Sequence, residues 1–166
     1  MSETDHPENP VEAKIEEKDV SSAIAVAGHP LHAMSVHFPI ALVVATLGAD
    51  VFYWWSADPF WLRAGLWAAG FAFASGIGAG LVGTAELLLV PGIRGRVASW
   101  AHGVAAMMLI SVAGLNWGLR LAAPDAVLPH GLLLSLLAAG LTGLAGWHGG
   151  KLIFHHGIGL MVSPRD

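Results

Sequence analysis

Residues 60–90 read FWLRAGLWAAGFAFASGIGAGLVGTAELLLV, an apolar run that stops at Pro91-Gly92. Crossing the hydrocarbon core of a bilayer takes about 20 apolar residues of helix, so this run is long enough to span a membrane with some tilt. Three more apolar runs occupy about 31–55, 97–121 and 129–154. The sequence therefore predicts four membrane-spanning helices, numbered here as spans one to four in chain order.

The composition agrees with a membrane protein. Of the 166 residues, 55% are hydrophobic and 12% are charged, whereas soluble domains carry about 25% charged residues. The mean hydropathy is +0.63. We expect an all-α integral membrane protein, an up-and-down four-helix bundle surrounded by the lipid bilayer. The predicted organisation is an acidic, flexible N-terminal tail over 1–28, a four-span domain over 29–162 and a short C-terminal tail over 163–166.

Charged residues are concentrated in the tail. The first twenty residues hold seven acidic residues against two lysines and supply most of the formal net charge of -4, which argues against nucleic-acid binding. The acidic start also lacks the basic region that opens a signal peptide. Because the chain has no cysteine, disulfides, thiolate ligands and covalently attached haem are excluded, and histidine and carboxylate remain as the strong ligands.

The basic residues predict the orientation, since cytoplasmic ends of spans are enriched in lysine and arginine. Most of them lie beside the termini and the middle loop, while Arg63 and Arg120 mark the opposite ends of the spans. Both termini are therefore expected in the cytoplasm. The residues on the cytoplasmic side are Lys14, Lys18, Arg94, Arg96, Lys151 and Arg165.

Ionisable side chains of the spans gather in the half near the termini. His37 and His102 lie at similar depths inside spans one and three, and Glu86 lies about one turn before the end of span two. Such groups are costly in a bilayer, so they normally face the bundle interior and mark a pathway, a ligand or a cofactor. Spans one and three are diagonal neighbours in an up-and-down bundle, so we expect His37 and His102 to approach each other across the core.

Two imidazoles that face each other across a bundle can bind a haem iron from both sides. The leading hypothesis is a membrane b-type cytochrome with noncovalent haem b held by His37 and His102. His32 and His156 would bind a second cofactor or the propionates, and Glu86 would support the site. Electrons would pass to or from a quinone or a partner redox protein. The glycines that either form a slot for the macrocycle or let helices pack closely are Gly76, Gly78, Gly80, Gly83, Gly140, Gly143, Gly146 and Gly149.

Two alternatives stay open. The first is a metal site of histidine and carboxylate for copper, zinc or iron, with His37 and His102 as ligands and His32, His156 and His29 as further candidates. The second is a structural accessory subunit, packed into a homo-oligomer or a larger membrane complex. No nucleophile with a positioned base is evident, so an electron carrier or accessory subunit is favoured over a self-contained enzyme.

Three further residues carry structural expectations. Pro39 removes a backbone donor inside span one and is expected to kink the helix next to His37. Asn116 is expected to form a hydrogen bond between helices. Asp50, near the outer end of span one, is expected to face a vestibule.

Residues 29–42, HPLHAMSVHFPIAL, resemble the opening motif of a bacterial membrane family named domain of unknown function 2231. The resemblance continues through Glu86, where relatives tend to have aspartate, through His102, and through GGKLIFHHGIG at 149–159, and it covers about 29–162. It implies four spans in a bacterial inner membrane and no established chemistry. Relatives that look fused to Rieske-type domains hint at electron transfer. The motif histidines here are His29, His32, His37, His102 and His156.

Overall fold

A computed structural model describes residues 22–27 and 29–158. Four helices are long and apolar enough to cross a membrane, and they pack antiparallel as a bundle. The predicted fold class, an all-α membrane four-helix bundle, is confirmed. Of the predicted tails, 1–21, 28 and 163–166 lie outside the described residues. The spans are Leu31–Ser56, Pro59–Leu89, Val97–Ala122 and His130–Phe154.

Span one is broken near its start. Its first turn, Leu31–Ser35, is separated by Val36 from the main helix His37–Ser56. Pro39 has no backbone N–H to donate to the carbonyl of Ser35, so the regular helical hydrogen bond is missing where the break occurs. The helix is thus interrupted next to His37, where the sequence predicts a kink.

Short elements occupy the ends of the spans. Before span one, Ala25–Val26 pairs antiparallel with His29–Pro30. Span two begins with Pro59 after Asp58, whose carboxylate accepts a 2.8 Å hydrogen bond from the amide of Phe60 and so caps the helix. A short helix, Pro91–Arg94, precedes span three, and a 3-10 helix, Pro124–Val127, precedes span four.

The packing order follows the chain. Spans one and two, two and three, three and four, and one and four are neighbours, so spans one and three face each other diagonally. Small apolar side chains surround the axis, and the central cluster contains Val43, Ala72, Leu109, Ala138 and Leu141. Many of the largest apolar side chains instead point outward, including Trp67, Leu81 and Phe154. An outer surface of this kind suits lipid.

A cluster of polar side chains is buried near the ends of the spans that lie opposite the chain termini. Arg120 Nη2 lies 2.6 Å from Asp50 Oδ2, and both side chains are only 1% exposed. Ser135 donates a 2.5 Å hydrogen bond to the same oxygen, and Asn116 donates to Ser135 and accepts from Arg120 Nε. We call Asp50, Asn116, Arg120 and Ser135 the polar cluster. It joins spans one, three and four.

The polar cluster confirms one expectation and corrects two. Asn116 forms the expected hydrogen bond between helices. Asp50 does not face a vestibule, because its carboxylate is neutralised inside the bundle by Arg120. Arg120 is not a boundary charge either, since a buried carboxylate offers it a better partner than lipid does.

Glycine at position 65 makes room for the guanidinium. A methyl group on Gly65 would lie 2.7 Å from Arg120 Nη1, whereas one on Gly131 would be in ordinary contact with Arg120 Nη2, at 3.5 Å. Span two therefore approaches the arginine so closely that a side chain larger than hydrogen would push it away.

The ion pair generates a stability prediction. Arg120→Leu leaves the Asp50 carboxylate buried without its counter-charge, so the free energy of unfolding should fall by about 3–5 kcal/mol. Detergent-induced unfolding in bicelles measures this loss. The matched control is Arg63→Leu, because Arg63 is exposed and should change stability little. The double variant Asp50→Leu/Arg120→Leu should recover most of the loss, and a double variant as unstable as Arg120→Leu would contradict the explanation.

Candidate functional site

Two imidazoles face each other at the opposite end of the bundle from the polar cluster. The rings of His32, in the first turn of span one, and His102, in span three, have centroids 6.1 Å apart and planes at 78°. Because spans one and three are diagonal, the pair lies across the bundle. We call His32 and His102 the imidazole pair.

Each ring of the pair is anchored by a neighbouring helix. His32 Nδ1 lies 2.9 Å from the carbonyl oxygen of Ala79 in span two, and His102 Nδ1 lies 3.0 Å from that of Ala145 in span four. A carbonyl oxygen only accepts, so Nδ1 carries the proton and donates in both rings. The other nitrogen, Nε2, is then left with a free lone pair in each neutral ring. Two potential metal-binding nitrogens therefore belong to one small region.

Two glycines seat these rings against the helices that anchor them. A methyl group on Gly83 of span two would lie 2.6 Å from His32 Cε1, and one on Gly149 of span four would lie 3.2 Å from His102 Cε1. The imidazoles therefore lie directly against helix backbone. The close approach fixes the rings in position without any side chain between ring and helix.

The other glycines considered for a slot have different surroundings. A methyl group on Gly80 would lie 2.9 Å from Ile110 Cδ1, and one on Gly76 would lie 3.4 Å from Ile110 Cγ1. A methyl group on four others would meet no described atom within 4 Å, so these glycines face outward or open space. They are Gly78, Gly140, Gly143 and Gly146.

Glu86 lies on the same face of span two as Gly83, against which His32 packs. Ala79, Gly83 and Glu86 follow each other at spacings of four and three residues, which places them on one helix face. Glu86 is 8% exposed, and Ser22 of the N-terminal segment donates a hydrogen bond to Oε1. The carboxylate thus lies about one turn beyond the imidazole pair, towards the end of the span.

His37 is placed differently from the expectation. Its side chain is exposed, and Nδ1 lies 3.1 Å from the carbonyl oxygen of Met34. Five residues of helix turn through about 500°, so positions 32 and 37 lie about 140° apart and cannot both face the axis. The structure therefore brings His32, rather than His37, to His102.

The remaining candidate histidines are His29 and His156. His29 is exposed, and Nδ1 lies 2.7 Å from the carbonyl oxygen of Ala27. His156, past the end of span four, is half-buried. No group of three histidine, aspartate or glutamate side chains within 22–27 and 29–158 is arranged to hold a metal ion. The imidazole pair would thus offer a metal two protein ligands.

A family model that carries the description "predicted membrane protein" matches residues 28–161, most of the chain. The chain belongs to this family, DUF2231. The match spans all four helices and both members of the imidazole pair. No curated protein and no solved structure matches the chain. Membership of DUF2231 thus establishes a multi-span membrane protein and leaves its chemistry to be argued from the residues.

Sequence reasoning about this DUF2231 chain missed the seats at Gly83 and Gly149. Both were counted among glycines for a slot, whereas each makes room for one imidazole. One signal was present in the sequence, since Ala79, Gly83 and Glu86 form a stripe of small residues that ends in a carboxylate. Nothing in the sequence indicated which histidine would occupy that stripe.

The glycine seats generate a second prediction. Gly83→Ala puts a methyl group into the ring of His32, so the free energy of unfolding should fall by about 1–3 kcal/mol. The chemical shifts of the His32 ring should also change. The matched control is Gly78→Ala in the same helix, where a methyl group meets nothing described within 4 Å. Equal effects of the two substitutions on stability and on the His32 shifts would refute the seat.

Proposed function

We propose that this protein is a membrane b-type cytochrome in which His32 and His102 bind the iron of a noncovalent haem b. The observation that supports the proposal is the imidazole pair, with rings 6.1 Å apart and each Nδ1 anchored to a carbonyl oxygen. Relative to the sequence-based hypothesis, His32 takes the role assigned to His37.

The separation of the rings supports a shared metal. Two metal–nitrogen bonds of about 2 Å each, with about 1 Å from each nitrogen to its ring centre, separate two imidazoles on one ion by about 6 Å. The observed separation of 6.1 Å agrees with this value. A plain edge contact between two rings falls in the same range of distances, so the separation supports the proposal only together with the two carbonyl anchors.

The hydrogen bonds of the pair support the same reading. A histidine that binds a metal almost always donates its other ring N–H to a carboxylate, a carbonyl or water, which fixes the tautomer and the ring orientation. Ala79 and Ala145 supply that acceptor to His32 and His102. The helices would thus hold the Nε2 atom of each ring in position for a metal.

The number of ligands favours haem over zinc. Zinc sites normally have four ligands, of which catalytic sites take three from the protein, and the described residues offer the pair without a third histidine or carboxylate. In haem the macrocycle supplies four nitrogens, so His32 and His102 would be the two ligands that the iron takes from the protein. Haem would supply one-electron chemistry here.

The surrounding residues would support electron transfer at one membrane face. Glu86 lies beyond the pair towards the end of span two, where a carboxylate can compensate a change of charge at the iron. Electrons would be exchanged there with a quinone or a partner redox protein. The location in a bacterial inner membrane, with both termini in the cytoplasm, belongs to the same proposal. His156 stays a candidate for a propionate contact.

A second candidate is a copper(I) site at the same pair. Copper(I) accepts two nitrogen ligands in line, and imidazole suits copper. The observation that favours it is the close seating of both rings on Gly83 and Gly149, because a single ion needs no space for a macrocycle. In this reading the protein would carry or sense copper.

An absorption spectrum tests the leading proposal. Protein purified in detergent without a histidine tag and loaded with haem b should show sharp reduced-minus-oxidised bands. His32→Ala and His102→Ala should each lose the low-spin spectrum, because the iron loses an axial ligand. His37→Ala is the matched control and should keep it.

The outcomes separate the candidates. The copper(I) site would replace the haem site if the haem bands are absent and the protein binds one copper per chain, provided that both alanine variants lose this copper. A protein that binds neither, yet assembles with partner subunits, would leave the structural accessory reading. Bands that depend on His37 but not on His32 would contradict the proposed ligand pair.

A further inference from the structure

The bundle has a second polar site, towards the end opposite the imidazole pair. Asp50 and Arg120 lie at one level, and Thr46 and Asn116 lie four residues earlier in the same two spans. Four residues make about one helical turn, so this second pair lies one turn further into the membrane. The polar cluster thus extends inward from the ion pair.

A small cavity opens at this inner level. The space open to the centre of a water molecule is about 10 Å³. A cavity that holds one water has roughly 10–15 Å³ of such space. Three polar side chains line it, those of Thr46, Asn116 and Ser135, and each is at most 3% exposed. The remaining lining is apolar and mostly alanine. Most of the accessible wall is apolar, so these three side chains supply the polar contacts, and the volume is at the lower limit for one water.

Two of the polar side chains that line the cavity can form further hydrogen bonds. Asn116 Nδ2 has two N–H groups, of which one is donated to Ser135 at 2.8 Å. Thr46 donates its hydroxyl proton to the carbonyl oxygen of Leu42 at 2.8 Å and so keeps acceptor capacity. Ser135 is fully used, because it donates to Asp50 and accepts from Asn116 and Arg120. A small molecule that accepts a hydrogen bond from Asn116 and donates one to Thr46 would use both of these free groups.

The neighbouring ion pair shows the same shortage of partners. Among the described residues, the buried atoms Asp50 Oδ1 and Arg120 Nη1 have no hydrogen-bond partner in the protein. Buried polar atoms are normally satisfied by protein or by ordered water. Protein atoms alone thus do not complete the hydrogen bonding of this part of the bundle.

We infer that the cavity between Thr46, Asn116 and Ser135 binds one water molecule, which accepts a hydrogen bond from the Asn116 amide and donates one to the Thr46 hydroxyl. The water joins span one to span three one turn below the ion pair. It does not depend on any cofactor at the imidazole pair, since the two sites lie at opposite ends of the bundle. The ligand class is water rather than a cation, because Arg120 already neutralises Asp50.

The sequence offers a clean probe for this water. Asn9 and Asn116 are the only asparagines and glutamine is absent, so the full chain contains two side-chain amides. Solid-state NMR of the ¹⁵N-labelled protein in lipid bilayers measures magnetisation transfer from water to each amide. Asn116→Ala assigns the signal, because one of the two amides disappears.

Thr46→Val and Thr46→Ser form the matched pair of variants. Valine keeps the shape of threonine but removes the acceptor, while serine keeps the hydroxyl. Rapid transfer to the Asn116 amide in the wild type and in Thr46→Ser, with a several-fold slower build-up in Thr46→Val, supports the site. Transfer to Asn116 no faster than to the buried backbone amides of Ala79 and Ala105, which do not line the cavity, or transfer that Thr46→Val leaves unchanged, overturns it.

Discussion

Inside a bilayer a polar side chain has no water to bind, and a polar group in a span must find its partner within the protein. This constraint accounts for both buried sites of the bundle. At one end Arg120 neutralises Asp50, with Ser135 and Asn116 completing part of the shell. At the other end His32 and His102 each donate Nδ1–H to a carbonyl oxygen of a neighbouring helix. Between the two sites the buried core is apolar, and many of its residues are alanine.

Glycine determines where polar groups can enter this bundle. Gly65 leaves room for the guanidinium of Arg120, and Gly83 and Gly149 leave room for the imidazoles of His32 and His102. In each case a polar side chain from one helix lies against the bare backbone of another. Packing and hydrogen bonding therefore act together, because the helix that makes room for an imidazole also supplies its acceptor. The rings are held by two contacts each, which makes them suitable as preorganised ligands.

The fold was predictable from the sequence and the site was predictable only in part. Four long apolar runs need no knowledge of side-chain contacts, and proline and glycine punctuate them, so the bundle followed from hydropathy. The diagonal position of spans one and three also followed from topology, and His102, one of the predicted site residues, is a member of the pair that the structure brings together. The histidine beside His102 is His32 and not His37. Positions 32 and 37 point in different directions because of the helical turn between them and the break at Val36, and only one of the two rings faces inward. Arg120 was read as a boundary charge because sequence depth cannot reveal that Asp50 lies beside it.

The central claim is that the helices fix His32 and His102 with the proton on Nδ1, so that both Nε2 atoms are free to bind a metal. The most direct measurement is the ¹⁵N spectrum of the histidine rings in lipid bilayers, with His32 and His102 assigned by their single substitutions. For the metal-free protein the account predicts, in both rings, a protonated Nδ1 and an unprotonated Nε2. Protonation at Nε2 in either ring, with Nδ1 bare, would contradict the account, because the carbonyl anchors would then be absent.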